Sequence, residues 1–316
     1  MAKFEISAAE RAELGRVAVI YGGNSAERPV SLKSGAQVLL GLQQAGVDAF
    51  GIDLYGEDGQ QCPLTQLQAE PFDRAFLILH GRGGEDGVIQ GLLEMLEINY
   101  TGSGVAASAL AMDKLRSKQL FMGAGIPTPE FVHLDQSKDP VLQTEHLGYP
   151  QMVKPAHEGS SIGMARVNSP AELQKAVASA TEFDGMVLVE KWMTGSEFTV
   201  AVLDGRALPV IKLETPHDFY DYDAKYESDD TSYMFEHELT EDQVAELQTL
   251  AERTFEALGC EGWARIDIMR DEAGEFRVLE ANTAPGMTDH SLVPMAARQQ
   301  GISFEQLVVE VLRASS

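Results

Sequence analysis

Two short β-branched runs, each entering a glycine-rich turn and then a helical pattern, constrain the fold of this chain more than any other feature. Arg16 to Tyr21 (RVAVIY) ends in Gly22-Gly23 and is followed by a helical pattern from Val30 to Ala45 that stops at Gly46. Asp73 to His80 (DRAFLILH) repeats the form, leading into Gly81 to Gly87 and the helical Val88 to Leu96. Such alternation predicts a parallel sheet, because parallel neighbours need a crossover that carries the chain back along the sheet.

The second half reads differently. Ser169-Pro170-Ala171-Glu172 combines an N-cap, a proline at the first helical position and a capping-box glutamate, and Thr240-Glu241-Asp242-Gln243 opens a long helix ending at Gly259. Strands are predicted over Met186 to Glu190, Phe198 to Leu203, Leu208 to Leu213, Ala264 to Met269 and Phe276 to Ala281, which implies mixed α+β sheets. A chain of 316 residues exceeds what one core usually serves. The expectation is an α/β N-terminal lobe (1–102) followed by two α+β lobes (103–190 and 191–316), with boundaries near Gly102 and Lys191.

Hydrophobic residues make up 44% and charged residues 23%, which excludes disordered and fibrous classes. No apolar run reaches the ~18 residues of a membrane span, and Met1 to Gly15 is polar, so a cytoplasmic protein is expected. Cys62 and Cys260 lack the spacing of a disulfide framework or zinc site. The formal charge of -25 disfavours nucleic acid and anionic membrane as partners. Any phosphate must then be met locally, by a few Lys or Arg, by backbone amides or by a divalent cation.

Two familiar motifs fail their context. Gly102 to Ala107 fits G-x-G-x-x-A, but Leu120 to Gly125 holds no acid for a ribose. Gly159-Ser160-Ser161-Ile162-Gly163 fits the nucleophile elbow G-x-S-x-G, yet Met164 to Val167 reads as a strand where that turn requires a helix. There is no Walker A loop.

The strongest chemistry lies near the end. Asp267 sits in one strand, and Glu280 and Asn282 lie two apart on the next, so period-two geometry puts that pair on one face. Oxygen donors without His or Cys suit Mg²⁺, which would bridge nucleotide phosphates. Acids at strand ends also suit an ordinary solvated hairpin. The neighbours favour a site: Thr283 to Met287 forms a Pro-Gly turn able to present amides, and Arg265 adds a fixed positive charge. Upstream, Lys154 precedes the small-residue loop His157 to Gly163, a pattern that can hold β- and γ-phosphates or be a plain surface hairpin. Glu190-Lys191-Trp192-Met193, with Glu197 beyond, leaves a strand at a lobe boundary, where backbone can read an adenine edge and an acid can bind ribose; Trp192 and Met193 could equally be core.

Lys154, the Gly-Ser loop with Ser161, Glu190 with Glu197, and Asp267 with Glu280 and Asn282 occur in the order found in the ATP-grasp superfamily, which the chain resembles. Within it, Gly22 to Arg28, Leu79 to Gly87, Tyr100 to Gly104, Met112 to Lys114, Phe219 to Tyr226 and His290 to Pro294 resemble the D-alanine:D-alanine ligase family over residues 17 to 310. Pro29 departs from the usual acid, which would put the loop carrying Glu27 in question, and Ala156-His157 and Ala284 depart elsewhere.

The resemblance implies three-domain ATP-grasp architecture with ATP between the central and C-terminal lobes, two Mg²⁺ or Mn²⁺ ions on Asp267, Glu280 and Asn282, and D-alanine as substrate. It implies that one D-alanine carboxylate is phosphorylated by ATP and that the amine of a second attacks the acyl phosphate, giving D-alanyl-D-alanine for peptidoglycan precursors. Arg265 and the Gly286 amide would hold the oxyanion, Glu27 the first ammonium, and Ser291 with the Leu292 amide the second carboxylate, with His80 beside the first substrate. Lys114, Lys154 and Lys225 would face phosphates, with Ser161 in the loop above them, while Glu190, Lys191, Met193 and Glu197 take adenine and ribose. Ser160 and Tyr226 would form a hydrogen-bonded group with Glu27. A homodimer is expected on symmetry grounds. D-lactate or D-serine as second substrate, and a nicotinamide dehydrogenase built on Gly102 to Ala107, are the alternatives.

Overall fold

A computed structural model describes residues 4–159, 161–215, 231–288 and 290–315. The first sheet comprises β1 (Arg16–Gly22), β2 (Asp48–Leu54), β3 (Arg74–Leu77) and β4 (Asn99–Tyr100), in the order β2-β1-β3-β4 with every pair parallel, as the strand–turn–helix alternation requires. The second comprises β5 (Phe131–His133), β6 (Gln151–Pro155), β7 (Ala165–Val167) and β8 (Val187–Lys191), paired antiparallel as β5-β8-β6-β7. The third contains β9 (Glu197–Leu203), β10 (Arg206–Ala207), β11 (Ile211–Glu214), β12 (Ser232–Met234), β13 (Trp263–Arg270) and β14 (Phe276–Asn282). Its order is β12-β11-β9-β13-β14, with β10 on β9. One α/β layer and two α+β layers result.

Local rules account for most boundaries. Thr240 and Gln243 cap the helix Glu241–Leu258 reciprocally, side chain to backbone in both directions, and Gly259 ends it in the left-handed region. The helix Arg28–Gln44 starts two residues before the expected Val30, and Pro29 fits its first turn because a helix leaves those amides unpaired anyway. Pro29 therefore leaves Glu27 as the N-cap residue and does not disturb it. The predicted strand Leu208 to Leu213 is shortened to β11, since Pro209 can donate no ladder hydrogen bond. The helix Ala8–Leu14, held by a capping box between Ser7 and Glu10, forms where no element was predicted. No helix among the described residues is long and apolar enough to cross a membrane.

Helices tie the layers together. Leu292–Gln299 and Phe304–Arg313 bury Leu292, Val293, Leu307, Val308 and Leu312 in one cluster with Val38 and Leu42 of the N-terminal lobe, so the chain's end packs back on its beginning. Val105–Met112 and Lys114–Gly123 place Ala107, Ala111 and Phe121 against Phe198, Ile266 and Ile268 of the third sheet. The faces of the second and third sheets are thereby fixed across a cleft.

Candidate active site

The cleft between β6/β8 and β9/β13/β14 has a volume of about 730 Å³, the size of a nucleotide site. Lys154 and Glu190 line one wall, Asp267 and Glu280 the other, and the 191–196 crossing closes one end with Met193 buried and Lys191 exposed. Glu197 begins β9 opposite Met269 and lines the same cleft, and so does Ser161.

In the antiparallel β13–β14 ladder Asp267 stands directly opposite Glu280 and Arg265 opposite Asn282, so the pairing of the two strands puts the three oxygen donors on one face. Asp267 accepts from Thr199 Oγ1 at 2.7 Å and from Arg265 at 2.9 and 2.7 Å. Glu280 lies 3.5 Å from Lys114 Nζ. Asn282 Oδ1 is buried without a hydrogen-bond partner among the described residues. A buried amide oxygen without a donor costs free energy unless something cationic meets it, so this donor set fits a hard divalent ion.

Glu190 is sequestered rather than open to the cleft's solvent. At 2% exposure its carboxylate sits 2.8 Å from Lys154 Nζ and 3.1 Å from Lys118 Nζ. Burial alone would push the Glu190 carboxyl up, but the two ammoniums outweigh it and hold it below the ordinary carboxylate range. Lys118 was missed by sequence reading. Its signal was the i, i+4 spacing from Lys114, which puts both ammoniums on one face of the helix Lys114–Gly123.

The loop between β6 and β7 runs into an antiparallel strand, not a helix, so Gly159 to Gly163 is no nucleophile elbow. It is pinned at both ends of its first turn. His157 bridges Asp184 (2.7 Å) and Asp113 (3.2 Å), the Glu158 carbonyl accepts from Lys114 Nζ (2.7 Å), and the Glu158 carboxylate meets Arg82 of the N-terminal lobe (2.9 Å). Lys114 therefore links the loop to Glu280. Ser160, Lys225 and Tyr226 lie outside the described residues.

On the N-terminal side Glu27, His80 and Glu85 are all buried. The Glu27 carboxylate lies so close to two backbone segments that a Cβ on Gly81 would meet Oε2 at 2.6 Å and one on Gly159 at 2.8 Å. Gly81 also has φ +71, a left-handed backbone that favours glycine. Burial pushes the His80 imidazole down to about 4, a carbonyl contact at Ala284 opposes this, and Arg265 adds to it. Burial first and the Glu27 carboxylate second push the Glu85 carboxyl up to about 8, with the Gly81 amide at 2.6 Å resisting. At neutral pH His80 is thus uncharged, and Glu85 is drawn toward its protonated form. Glu85 received no role in the sequence reading, although it stands in the glycine-rich run Gly83-Gly84-Glu85-Asp86.

Gly286 faces Ser291, whose Oγ would lie 2.9 Å from a Cβ at that position. Ser291 accepts from the Thr288 amide at 2.9 Å and precedes Leu292, the first residue of its helix. The Leu292 amide is among the donors that a helix start leaves without an intrahelical partner, a place suited to an anion.

The chain matches known proteins over most of its length. The family model for the D-ala D-ala ligase C-terminus matches residues 120–313, and that for the D-ala D-ala ligase N-terminus matches residues 56–103. The D-alanine–D-alanine ligase of Pseudomonas entomophila (strain L48) is 59% identical over 301 residues, covering 95% of this chain and 93% of that protein. D-alanine–D-alanine ligase B of Pseudomonas syringae pv. tomato is 57% identical over 309 residues, 98% of this chain and 95% of that protein. Among solved structures, D-alanine–D-alanine ligase from Bacillus anthracis complexed with ATP superposes with a TM-score of 0.83 at 32% identity, covering 95% and 97% of the two chains. VanG D-Ala:D-Ser ligase from Enterococcus faecalis gives a TM-score of 0.82 at 30% identity, covering 95% and 98%.

Proposed function

The chain belongs to the D-alanine–D-alanine ligase family, and from that premise we propose how its own residues join two D-alanine molecules at the expense of ATP. The observation that carries the reading is the cleft in which buried Lys154 and Glu190 face Asp267, Glu280 and the unpartnered Asn282 Oδ1. Adenine and ribose lie against the 191–196 crossing with Met193 and Glu197. Lys114 and Lys154 face the phosphates, with Lys225 joining them. Asp267, Glu280 and Asn282 would hold Mg²⁺ or Mn²⁺, expected as two ions, which would supply positive charge against the transferring phosphoryl group.

The first D-alanine is held with its ammonium at Glu27 and neutral His80 beside it. Its carboxylate attacks the γ-phosphate of ATP, releasing ADP and forming D-alanyl phosphate, because a free carboxylate is too poor an electrophile for an amine. The second D-alanine is held by its carboxylate at Ser291 and the Leu292 amide. Its amine attacks the acyl carbon, and Arg265 with the Gly286 amide stabilises the oxyanion before phosphate leaves. By the family resemblance, Ser160 and Tyr226 would act with Glu27 to exclude water from the acyl phosphate. The lobes divide as 1–102, 103–190 and 191–316, a division supported by one sheet falling within each of the spans 16–100, 131–191 and 197–282. A reaction that consumes ATP for a wall precursor belongs in the cytoplasm, and two copies pair about a two-fold axis, which light scattering measures.

The test is to incubate the protein with ATP and Mg²⁺ plus D-alanine alone, or D-alanine mixed with D-lactate or D-serine, and to identify products by mass. D-alanyl-D-alanine with equimolar ADP and phosphate is expected. A predominant depsipeptide or D-alanyl-D-serine from the mixtures would overturn the choice of second substrate.

A further inference from the structure

Lys118 is the most deeply buried cation described in this chain, at 1% exposure, and no step of the proposed reaction uses it. Its Nζ lies 3.1 Å from Glu190 Oε1 and donates to Thr128 Oγ1 at 2.8 Å. The contact to Oε1 is a charge contact rather than an aligned hydrogen bond, since Oε1 has no hydrogen-bond donor among the described residues. The other oxygen of Glu190 holds Lys154 at 2.8 Å. Thr128 in turn donates to the carbonyl of Val278 at 2.8 Å, and Val278 lies two residues before Glu280 on β14.

We propose that Lys118 is a positioning residue for the ATP triphosphate, acting through Glu190 and Lys154; the proposal rests on the nucleotide reading of the cleft. The argument is one of charge balance. A buried Lys154–Glu190 pair by itself is neutral, and Glu190 would cancel the attraction Lys154 exerts on a phosphate. A second ammonium on the far oxygen leaves the buried trio net positive, in a chain whose formal charge is -25 and whose long-range field repels a triphosphate. The same ammonium fixes Thr128 against β14, so the cation that offsets Glu190 also holds the strand of Glu280 and Asn282 in register with Lys154. Burial weakens an isolated ammonium, bringing Lys118 down to about 8, and the Glu190 carboxylate is what keeps it charged at neutral pH. Paired on both sides, it is a fixed part of the phosphate wall rather than a mobile surface lysine.

The experiment compares ATP with adenosine as calorimetric ligands of the full chain in Mg²⁺ buffer, because adenosine fills the base and ribose site without sensing the triphosphate charge. In Lys118→Met, ATP affinity falls by about tenfold, the scale of one charge-assisted contact, while adenosine affinity stays within about twofold. Lys118→Arg, which keeps the charge, retains most of the ATP affinity. Adding Glu190→Gln to Lys118→Met raises the ratio of ATP to adenosine affinity again, because Lys154 is no longer neutralised. Lys118→Gln, which can keep the Thr128 hydrogen bond, takes the place of Lys118→Met should that variant fail to fold. An unchanged ATP-to-adenosine ratio in the uncharged variant, or an equal loss of both ligands with a lowered Tm, overturns the positioning role while wild-type ATP binding stands. Wild-type protein that binds no ATP overturns the nucleotide reading itself and this proposal with it.

Discussion

The Arg265 guanidinium grips both oxygens of the Asp267 carboxylate, Nε to Oδ1 at 2.9 Å and Nη2 to Oδ2 at 2.7 Å. One side chain thus borders the proposed metal ligands, the proposed oxyanion position and, through its charge, both His80 and Glu85.

Replacing Arg265 by Met removes the proposed oxyanion donor and leaves Asp267 held by Thr199 alone among the contacts described above. Loss of one such donor typically costs about 10²–10³ in kcat. Steady-state kinetics at saturating ATP and D-alanine read this directly. A decrease under about tenfold would remove Arg265 from the oxyanion site.

Glu280→Gln should abolish turnover at ordinary Mg²⁺ and leave the fold intact. Glu280 is half-buried in the cleft and glutamine keeps its size and shape, so the thermal midpoint should move by no more than about 4 °C. A metal titration of activity with parallel calorimetry checks both halves. Near-normal turnover sinks the metal assignment.

Glu27→Gln should weaken the first D-alanine site far more than the ATP site, because its carboxylate lies against Gly81 and Gly159 and away from the nucleotide cleft. Direct binding of ATP beside initial-rate kinetics in D-alanine separates the two, since a Michaelis constant need not equal a dissociation constant. Equal weakening of both ligands would count against an ammonium contact.

His80 makes stability depend on pH in a defined window. Its folded value of about 4 lies below the ordinary 6.5, so the unfolded chain binds a proton that the folded chain refuses. Stability from this residue is full above pH 6.5 and is lost as pH falls toward 4, amounting to about 3 kcal/mol across that interval. Urea midpoints of wild type and His80→Asn, measured from pH 7 to pH 4, should converge on acidification as the wild type loses this stability. Parallel profiles would mean that His80 is not held neutral.

The sequence by itself determined what rests on short separations. Strand period and capping chemistry are local, which is why the Thr240 capping box and the parallel N-terminal sheet were legible, and why Glu280 and Asn282 could be set on one face of their strand. Two strands close in sequence have few ways to pair, and period two then fixes which side chains share a face.

Burial and charge sharing were decided only by tertiary structure. Nothing near Glu190 in sequence says that Lys118 and Lys154 reach it, and Glu85 could have been a solvated loop acid. Glu85 is pushed up to about 8 by burial first and then by Glu27, which stands 58 positions earlier in the chain. The C-terminal helices likewise return to the N-terminal lobe because their apolar faces find Val38 and Leu42 there. Such effects depend on which distant surfaces exclude water together, and once water is excluded a carboxylate's charge is set by its neighbours in space, whatever their distance along the chain.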